Sequence, residues 1–315
     1  MTVSVRSFAK INLGLRIGAQ RADGFHELLT VYQTIGLHDV IRVSVDRGSG
    51  IEIQCADPRV PRNESNTCYR IIEKAMQALK ARGRVTIEIE KRLPVLGGLG
   101  GASTNAVAAL LGLERALKQF LPAYERLRIA SEVGSDLPLF LVGGTVLGLG
   151  RGEQVFPLQD LPATACVVVT PEVGVSTPRA FAEWDRKLTG SVPSDRMIEL
   201  GRGLSAWLSD SYSGAPFRRG RRENPLLELV RAGIKNDFEQ VVFPEYPELS
   251  EAKSTLERAG VKYASLSGSG STVYGLFASK EAARAAVAKL RKQGWAAQAT
   301  VTLRRAEYWN RMVMA

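Results

Sequence analysis

The segment Pro94–Asn105, PVLGGLGGASTN, constrains this chain more than any other stretch. Its glycines Gly97, Gly98, Gly100 and Gly101 sit between two runs of different period. Before them Val85, Ile87 and Ile89 alternate with Glu88 and Glu90, which predicts a strand. After them Ala102 to Phe120 is rich in Ala and Leu, which predicts a helix. Without Cβ atoms, backbone N–H groups can close on an oxyanion, and a helix start adds unpaired N–H groups and a positive dipole end. Ser103 and Thr104 add hydroxyls suited to phosphate or magnesium. A turn that only needs positive φ is the plain alternative; the strand–loop–helix setting favours phosphate. The phosphate binder is not a Walker loop, because GxxxxGK followed by Ser or Thr occurs nowhere. It does not fit GxGxxG either, since Ser103 takes the last position. The loop also follows a strand-rich start, which argues against a nicotinamide site.

The rest of the chain divides around this loop. Val3 to Leu15 is near-alternating, and Ile41–Val45 and Ile51–Cys55 are short period-2 runs around the turn-rich Asp46–Gly50. Asn66 is a plausible N-cap for a helix whose apolar face is Ile71, Ile72, Ala75, Met76 and Leu79. A short helix over Leu127–Val133 and a strand over Thr145–Leu149 follow. From Leu161 on, strand Cys166–Thr170 and a less regular helical region, Pro178 to about Leu208, precede a Ser/Gly/Pro/Arg-rich loop at Ser209–Asn224. Helix, strand and helix then recur over Ser250–Ala259, Tyr263–Ser267, Thr272–Phe277, Lys280–Gln293 and Ala296–Leu303. This mixed order predicts an α+β chain rather than a doubly wound sheet, and no internal repeat is present.

Three further motifs carry chemistry only in combination. Ala9–Leu13, AKINL, is a strand on which Lys10 and Asn12 share one face; a strand lysine alone is commonly solvated. Gly134–Pro138, GSDLP, holds Asp136 beside the apolar run Leu137–Val142, where a helix cap is the plain alternative. Leu266–Thr272, LSGSGST, lies between two predicted strands and reads alone as a hairpin turn.

At 315 residues the chain exceeds the usual size of one core, and 45% hydrophobic residues supply enough apolar surface for two. No apolar run reaches membrane-spanning length. Met1 to Lys10 lacks the apolar region of a signal peptide, so the expected location is cytoplasmic. Cys55, Cys68 and Cys166 are odd in number and far apart, and only His26 and His38 accompany them. A disulfide framework or a zinc site is therefore not expected. The formal charge of +10, part of it in Arg218, Arg219, Arg221 and Arg222, is compatible with a polyanionic partner. No aromatic stacking motif is interleaved with that charge; a solvated basic loop is favoured over nucleic-acid contact, and an enzyme handling phosphorylated small molecules explains the charge equally well.

The order AKINL, PVLGGLGGASTN, LSGSGS resembles the three motifs of the GHMP kinase superfamily. A branch of it that phosphorylates a cytidine diphosphate derivative in the non-mevalonate isoprenoid pathway is matched by QRADGFHE (Gln20–Glu27), KRLP (Lys91–Pro94), GSDLP, VSTPRAF (Val175–Phe181) and NDFE (Asn236–Glu239). The resemblance implies a two-domain GHMP kinase fold: a ribosomal-protein-S5-like N-terminal domain over 1–160 and a ferredoxin-like C-terminal domain over 161–315. It implies ATP and Mg2+, the metal held on ATP with help from Ser103 or Thr104 and by no protein ligand set. It maps ATP binding onto Pro94, Gly97, Gly98, Leu99, Gly100, Gly101, Ser103 and Thr104, with Asn66 on the adenine side. Catalysis falls on Lys10 and Asp136, the carboxylate taking the proton of the substrate alcohol. Substrate contacts fall on Asn12, Phe25, His26, Lys91, Thr177, Pro178, Phe181, Gly268, Ser269 and Gly270, with Phe25 stacking on cytosine and His26 reading its edge. Leu96 stands where the family pattern has Gly or Ala, Ala102 where it often has Gly, and Phe25 where it has Tyr. A monomer or weak homodimer is expected. A mevalonate- or homoserine-type kinase of the same superfamily remains the alternative, and a basic nucleic-acid-binding protein of S5-like fold a more distant one.

Overall fold

A computed structural model describes residues 1–187, 194–212 and 234–314. The arginines at Arg218–Arg222 lie outside the described residues. Two long strands, β1 (Thr2–Gln20) and β2 (His26–Asp46), pair antiparallel and form the spine. The strand β3 (Gly50–Cys55) pairs parallel with β4 (Arg84–Glu90), and β4 pairs with β2. On the other stretch of β2 come β5 (Thr145–Leu149) and β6 (Gln154–Pro157), giving the order β3-β4-β2-β5-β6 with β1 beside β2.

The strands β2 and β3 differ from the sequence expectation. Only Ile41–Val45 reads as strand, yet β2 runs from His26. Its stretch Leu29–Ile35 is buried throughout, so the apolar/polar alternation that marks a half-buried strand is missing there. Ile51–Cys55 is a strand as expected, but adjacency in sequence does not become pairing, because β4 inserts between β3 and β2.

The helices α1 (Thr67–Leu79) and α2 (Gly101–Leu117) stack on this sheet, α2 against β1 and β2 and α1 outside it. Asn66 caps α1 as expected, its side chain accepting from Cys68 N at 2.8 Å. Every residue of α2 from Thr104 to Glu114 is buried, which explains why that helix is apolar on all sides rather than amphipathic. The short helices α3 (Ala123–Val133) and α4 (Leu137–Phe140) complete this layer.

A second, four-stranded antiparallel sheet has the order β10-β7-β9-β8, from β7 (Ala165–Val169), β8 (Tyr263–Leu266), β9 (Val273–Phe277) and β10 (Ala297–Val301). Between β7 and β8 lie α5 (Thr177–Lys187), α6 (Ser194–Tyr212), α7 (Glu239–Glu245) and α8 (Pro247–Arg258); α9 (Lys280–Lys292) joins β9 to β10. The region read as a loop from Ser209 is still helical to Tyr212. Leu249 and Leu256 of α8 and Val287 and Leu290 of α9 cover one face of this sheet. Cys166, Val168, Tyr274 and Leu276 on its other face pack with Ile11, Leu13 and Ile35 of the spine. The two sheets thus meet along β1.

The change of sheet falls between β6 and β7, but the chain crosses that line twice. Leu15 and Ile17 of β1 belong to the core of the second sheet. A last helix with no sequence forewarning, α10 (Arg305–Met312), returns Tyr308 and Met312 to the core of the first. Among the described residues no helix is long and apolar enough to cross a membrane.

Candidate active site

The antiparallel register of the spine decides which side chains meet. Lys10 lies opposite Thr34 and Asn12 opposite Tyr32, with register shifts between Phe8 and Lys10 and between Asn12 and Gly14. Residues opposite each other in an antiparallel pair share a face, and bulges re-aim what they flank. Lys10, Asn12 and Tyr32 accordingly point into one cavity of about 720 Å³. The Lys10 ammonium donates to Asn12 Oδ1 at 2.6 Å and stands 3.5 Å from Asp136 Oδ2. Asn12 in turn donates to Thr30 Oγ1 at 2.8 Å, and Thr30 to the carbonyl of Gly14. Both polar ends of Asn12 are therefore held by the fold. Lys10 is 3% exposed, so the solvated strand lysine is not what forms.

Asp136 directly precedes α4 and makes no capping hydrogen bond with its side chain. The plain alternative for this residue, a helix cap, is thereby removed. Its carboxylate is one-third exposed and is turned to the cavity, where Tyr32 Oη donates to Oδ1 at 3.1 Å.

The glycine loop closes the same cavity from above β1. Lys10 N donates to Leu99 O at 3.0 Å, which fixes the loop to the strand that carries the lysine. The hairpin Leu266–Thr272 locks it from the other side: Ser267 Oγ donates to Gly98 O at 2.9 Å, and Thr272 N to Gly97 O at 3.2 Å. The crossing is so close that a Cβ on Gly98, whose φ is +71°, would lie 2.2 Å from the Ser267 carbonyl oxygen. The hairpin expected at LSGSGST is thus a hairpin and also a wall of the site.

Pro94, Gly97, Gly98, Leu99, Gly100, Gly101 and Ser103 all line the cavity as expected. Thr104 does not. One residue further round α2, its hydroxyl turns into the core with 1% exposure and no hydrogen-bond partner. Asn66 borders the cavity, but its amide is used by the cap and by the carbonyl of Pro61, at 2.6 Å. Lys91, expected among the substrate contacts, lines the cavity beneath the glycine loop. A Cβ on Gly101 would be 3.4 Å from its ammonium, which donates to the buried Asp39 at 2.7 Å. Asp39 also accepts from the backbone of Arg92 and Leu93, both at 2.7 Å, holding the chain that enters the loop.

At the far end the lining is aromatic. Phe181 stacks on His26 with ring centres 5.0 Å apart and planes 10° off parallel, and Phe238 meets Phe181 edge-on at 4.9 Å. His26 Nε2 is 2.7 Å from Asp185 Oδ1, so that nitrogen is occupied by the protein. Phe25 is half exposed at the mouth with the Arg151 guanidinium 4.9 Å from its ring. Thr177 pairs with Ser269 through their hydroxyls at 2.7 Å, and Gly268 lies beside Lys10. Pro178 and Gly270 fall outside the lining. Thr177 and Phe181 are one turn apart on α5 and face inward, which turns Pro178 to solvent. Gly270 packs behind the hairpin toward Val175.

The NDFE segment explains why the aromatic end stays in place. Asn236 donates to the carbonyls of Leu266 and Gly268, at 2.8 and 2.7 Å. Asp237 pairs with Arg16, Phe238 joins the aromatic wall, and Glu239 accepts from Leu266 N at 2.9 Å. Tyr32, Asp39, Arg151 and Asp185 escape sequence reasoning. None lies in a motif, and Tyr32 and Asp39 sit on the unanticipated part of β2.

Leu96 stands at the loop's lip with φ +58° and 70% exposure. A left-handed backbone costs a non-glycine residue about 1–2 kcal/mol, and glycine returns about 0.5–1 of that through the unfolded chain. Leu96→Gly is expected to raise stability by about 0.5–1 kcal/mol in a urea titration. A destabilised variant would show that Leu96 packs in a way its exposure conceals.

Residues 66–144 match the family model for the GHMP kinases N terminal domain, and residues 220–295 that for GHMP kinases C terminal. The chain is 38% identical over 278 residues to the 4-diphosphocytidyl-2-C-methyl-D-erythritol kinase of Solibacter usitatus, covering 88% of this chain and 82% of that one. It is 34% identical over 305 residues to the kinase of the same name from Synechococcus elongatus, covering 92% and 91%. A crystal structure of 4-(cytidine 5'-diphospho)-2C-methyl-D-erythritol kinase superposes with a TM-score of 0.72 at 30% identity, over 95% of this chain and 98% of that one. Homoserine kinase from Cytophaga hutchinsonii shares the fold, with a TM-score of 0.73 at 19% identity over 98% and 96%.

Proposed function

The chain belongs to the GHMP kinases, in the 4-diphosphocytidyl-2-C-methyl-D-erythritol kinase family, and we propose that it phosphorylates that substrate's 2-hydroxyl from ATP. The observation that carries this reading is the Lys10–Asp136 pair, 3.5 Å apart, between a bare-amide loop and an aromatic chamber.

Phosphoryl transfer is mainly positioning and charge stabilisation, because the moving group is loosely bonded in the transition state. The N–H groups of Gly98–Gly101 and the start of α2 hold the triphosphate. Asp136 takes the proton of the attacking hydroxyl, and Lys10 offsets the charge on the γ-phosphoryl oxygens. Asn12 keeps the lysine aimed. His26, Phe25 and Phe181 offer flat faces to the cytosine, with the His26 ring fixed by Asp185. Lys91 serves the phosphate end rather than the acceptor end, as its place under Gly101 supports.

Among the described residues no cluster of three acidic, His or Cys side chains could hold a metal by itself. Ser103, which lines the cavity, would offer its hydroxyl to a magnesium ion brought in with ATP, and that ion would supply positive charge against the phosphate oxygens. Location in the cytoplasm belongs to the same reading.

The test is an ATP-consumption assay with 4-diphosphocytidyl-2-C-methyl-D-erythritol, mevalonate and homoserine as acceptors. Turnover is expected with the cytidyl substrate alone. Turnover with mevalonate or homoserine and none with the cytidyl compound would overturn the assignment.

A further inference from the structure

We propose that Tyr32 is a positioning residue for phosphoryl transfer, its buried hydroxyl holding the Asp136 carboxylate in line with Lys10; this rests on Asp136 being the proton acceptor. Tyr32 is 2% exposed, and its Oη donates to Asp136 Oδ1 at 3.1 Å, while Lys10 faces Oδ2 at 3.5 Å. One carboxylate is thus gripped at both oxygens, by groups from two neighbouring strands. The same ammonium lies 5.6 Å from the Tyr32 ring centre, so the phenol also sets the floor beneath the lysine.

The surroundings are shaped for the hydroxyl and not only for a ring. A Cβ on Gly148, in β5, would lie 2.5 Å from Tyr32 Cε2, and one on Gly152 would lie 2.3 Å from Tyr32 Oη. These two glycines leave a slot that admits the phenol to its tip. A phenylalanine would fill the apolar part of this slot equally well. A buried hydroxyl is costly unless it is bonded, and this one spends its donor on the carboxylate. Burial and the negative charges of Asp136 and Glu153 push the phenol's pKa well above its ordinary value, so it stays a proton donor throughout the neutral range.

Asp136 follows a loop and is one-third exposed, with no cap bond to fix its rotamer. Without Tyr32 the carboxylate is held at one oxygen only and can rotate away from the acceptor hydroxyl. A misplacement of this kind lowers turnover and leaves ground-state binding alone.

The experiment compares wild type, Tyr32→Phe, Asp136→Asn and the double variant in steady-state and single-turnover assays. Tyr32→Phe is expected to lower kcat about 10- to 100-fold, with KM for both substrates within about twofold. In the Asp136→Asn background the same replacement should change nothing further. Unchanged kcat in Tyr32→Phe, a loss expressed in KM, or an equal loss in both backgrounds would overturn the positioning role. Full activity of Asp136→Asn would instead overturn the proton-acceptor reading beneath it. A second measurement does not depend on Tyr32→Phe folding: 3-fluorotyrosine placed at position 32 and followed by fluorine NMR. Its resonance is expected to move on Asp136→Asn and to stay on Asp185→Asn. A resonance that ignores Asp136→Asn ends the proposal.

Discussion

Asp136→Asn is expected to lower kcat about 1,000-fold while leaving the unfolding midpoint within a degree or two. The amide is nearly isosteric and can still accept from Tyr32, but it cannot take a proton from an alcohol at neutral pH. Little stability is at stake. The Asp136 side chain caps nothing, its pair with Lys10 is 3.5 Å long, and its carboxylate is one-third exposed, so solvent screens much of the attraction. Lys10 meanwhile keeps its 2.6 Å bond to Asn12. Rate measurement beside thermal unfolding therefore separates chemistry from folding at this position. Wild-type turnover would remove Asp136 as the base.

Asp237→Ala should do the opposite, costing about 3–5 kcal/mol of stability. The Asp237 carboxylate is fully buried; it accepts from Arg16 Nη1 at 2.8 Å and from Ile17 N at 3.1 Å. Removing it takes a buried carboxylate partner from a guanidinium whose side chain is 7% exposed, and a hydrogen bond from β1. Such a loss is large because neither group can be rehydrated without opening the junction between the sheets. Urea titration gives the number directly. The pair Arg42–Glu88, both partners about a third or more exposed, is the control: truncating it should cost under about 1 kcal/mol. Equal costs at the two sites would mean that the junction is wetter than its burial implies. Since Asn236 and Phe238 flank Asp237, weakening there should also loosen the hairpin and the aromatic wall together.

Both effects come from positions that short motifs single out, yet the motifs hold different amounts of information. In AKINL the period of a strand already puts Lys10 and Asn12 on one face, and the 2.6 Å bond between them follows from that. In PVLGGLGGASTN the strand, the loop and the helix are all legible, because positive φ and a helix start are properties of a few neighbouring residues. The same local reasoning cannot separate Ser103, which faces the cavity, from Thr104, which faces the core, since that depends on where α2 rests. The pairing of Lys91 is hidden for the same reason: its partner Asp39 is 52 residues away and on a strand that the pattern conceals.

What the amino-acid order determined alone is the backbone chemistry of each segment: glycine turns, caps, strand faces and the succession of motifs that resembles one kinase superfamily. These are decided within a turn or two of chain, where steric and hydrogen-bonding preferences act without help. Only the tertiary structure decided that Lys10, Asn12, Tyr32 and Asp136 meet. That meeting depends on the register and bulges of β1 on β2, and on two hairpin bonds that clamp the glycine loop. Register in a strand buried on both faces is set by packing from above and below, which no alternation along the chain records.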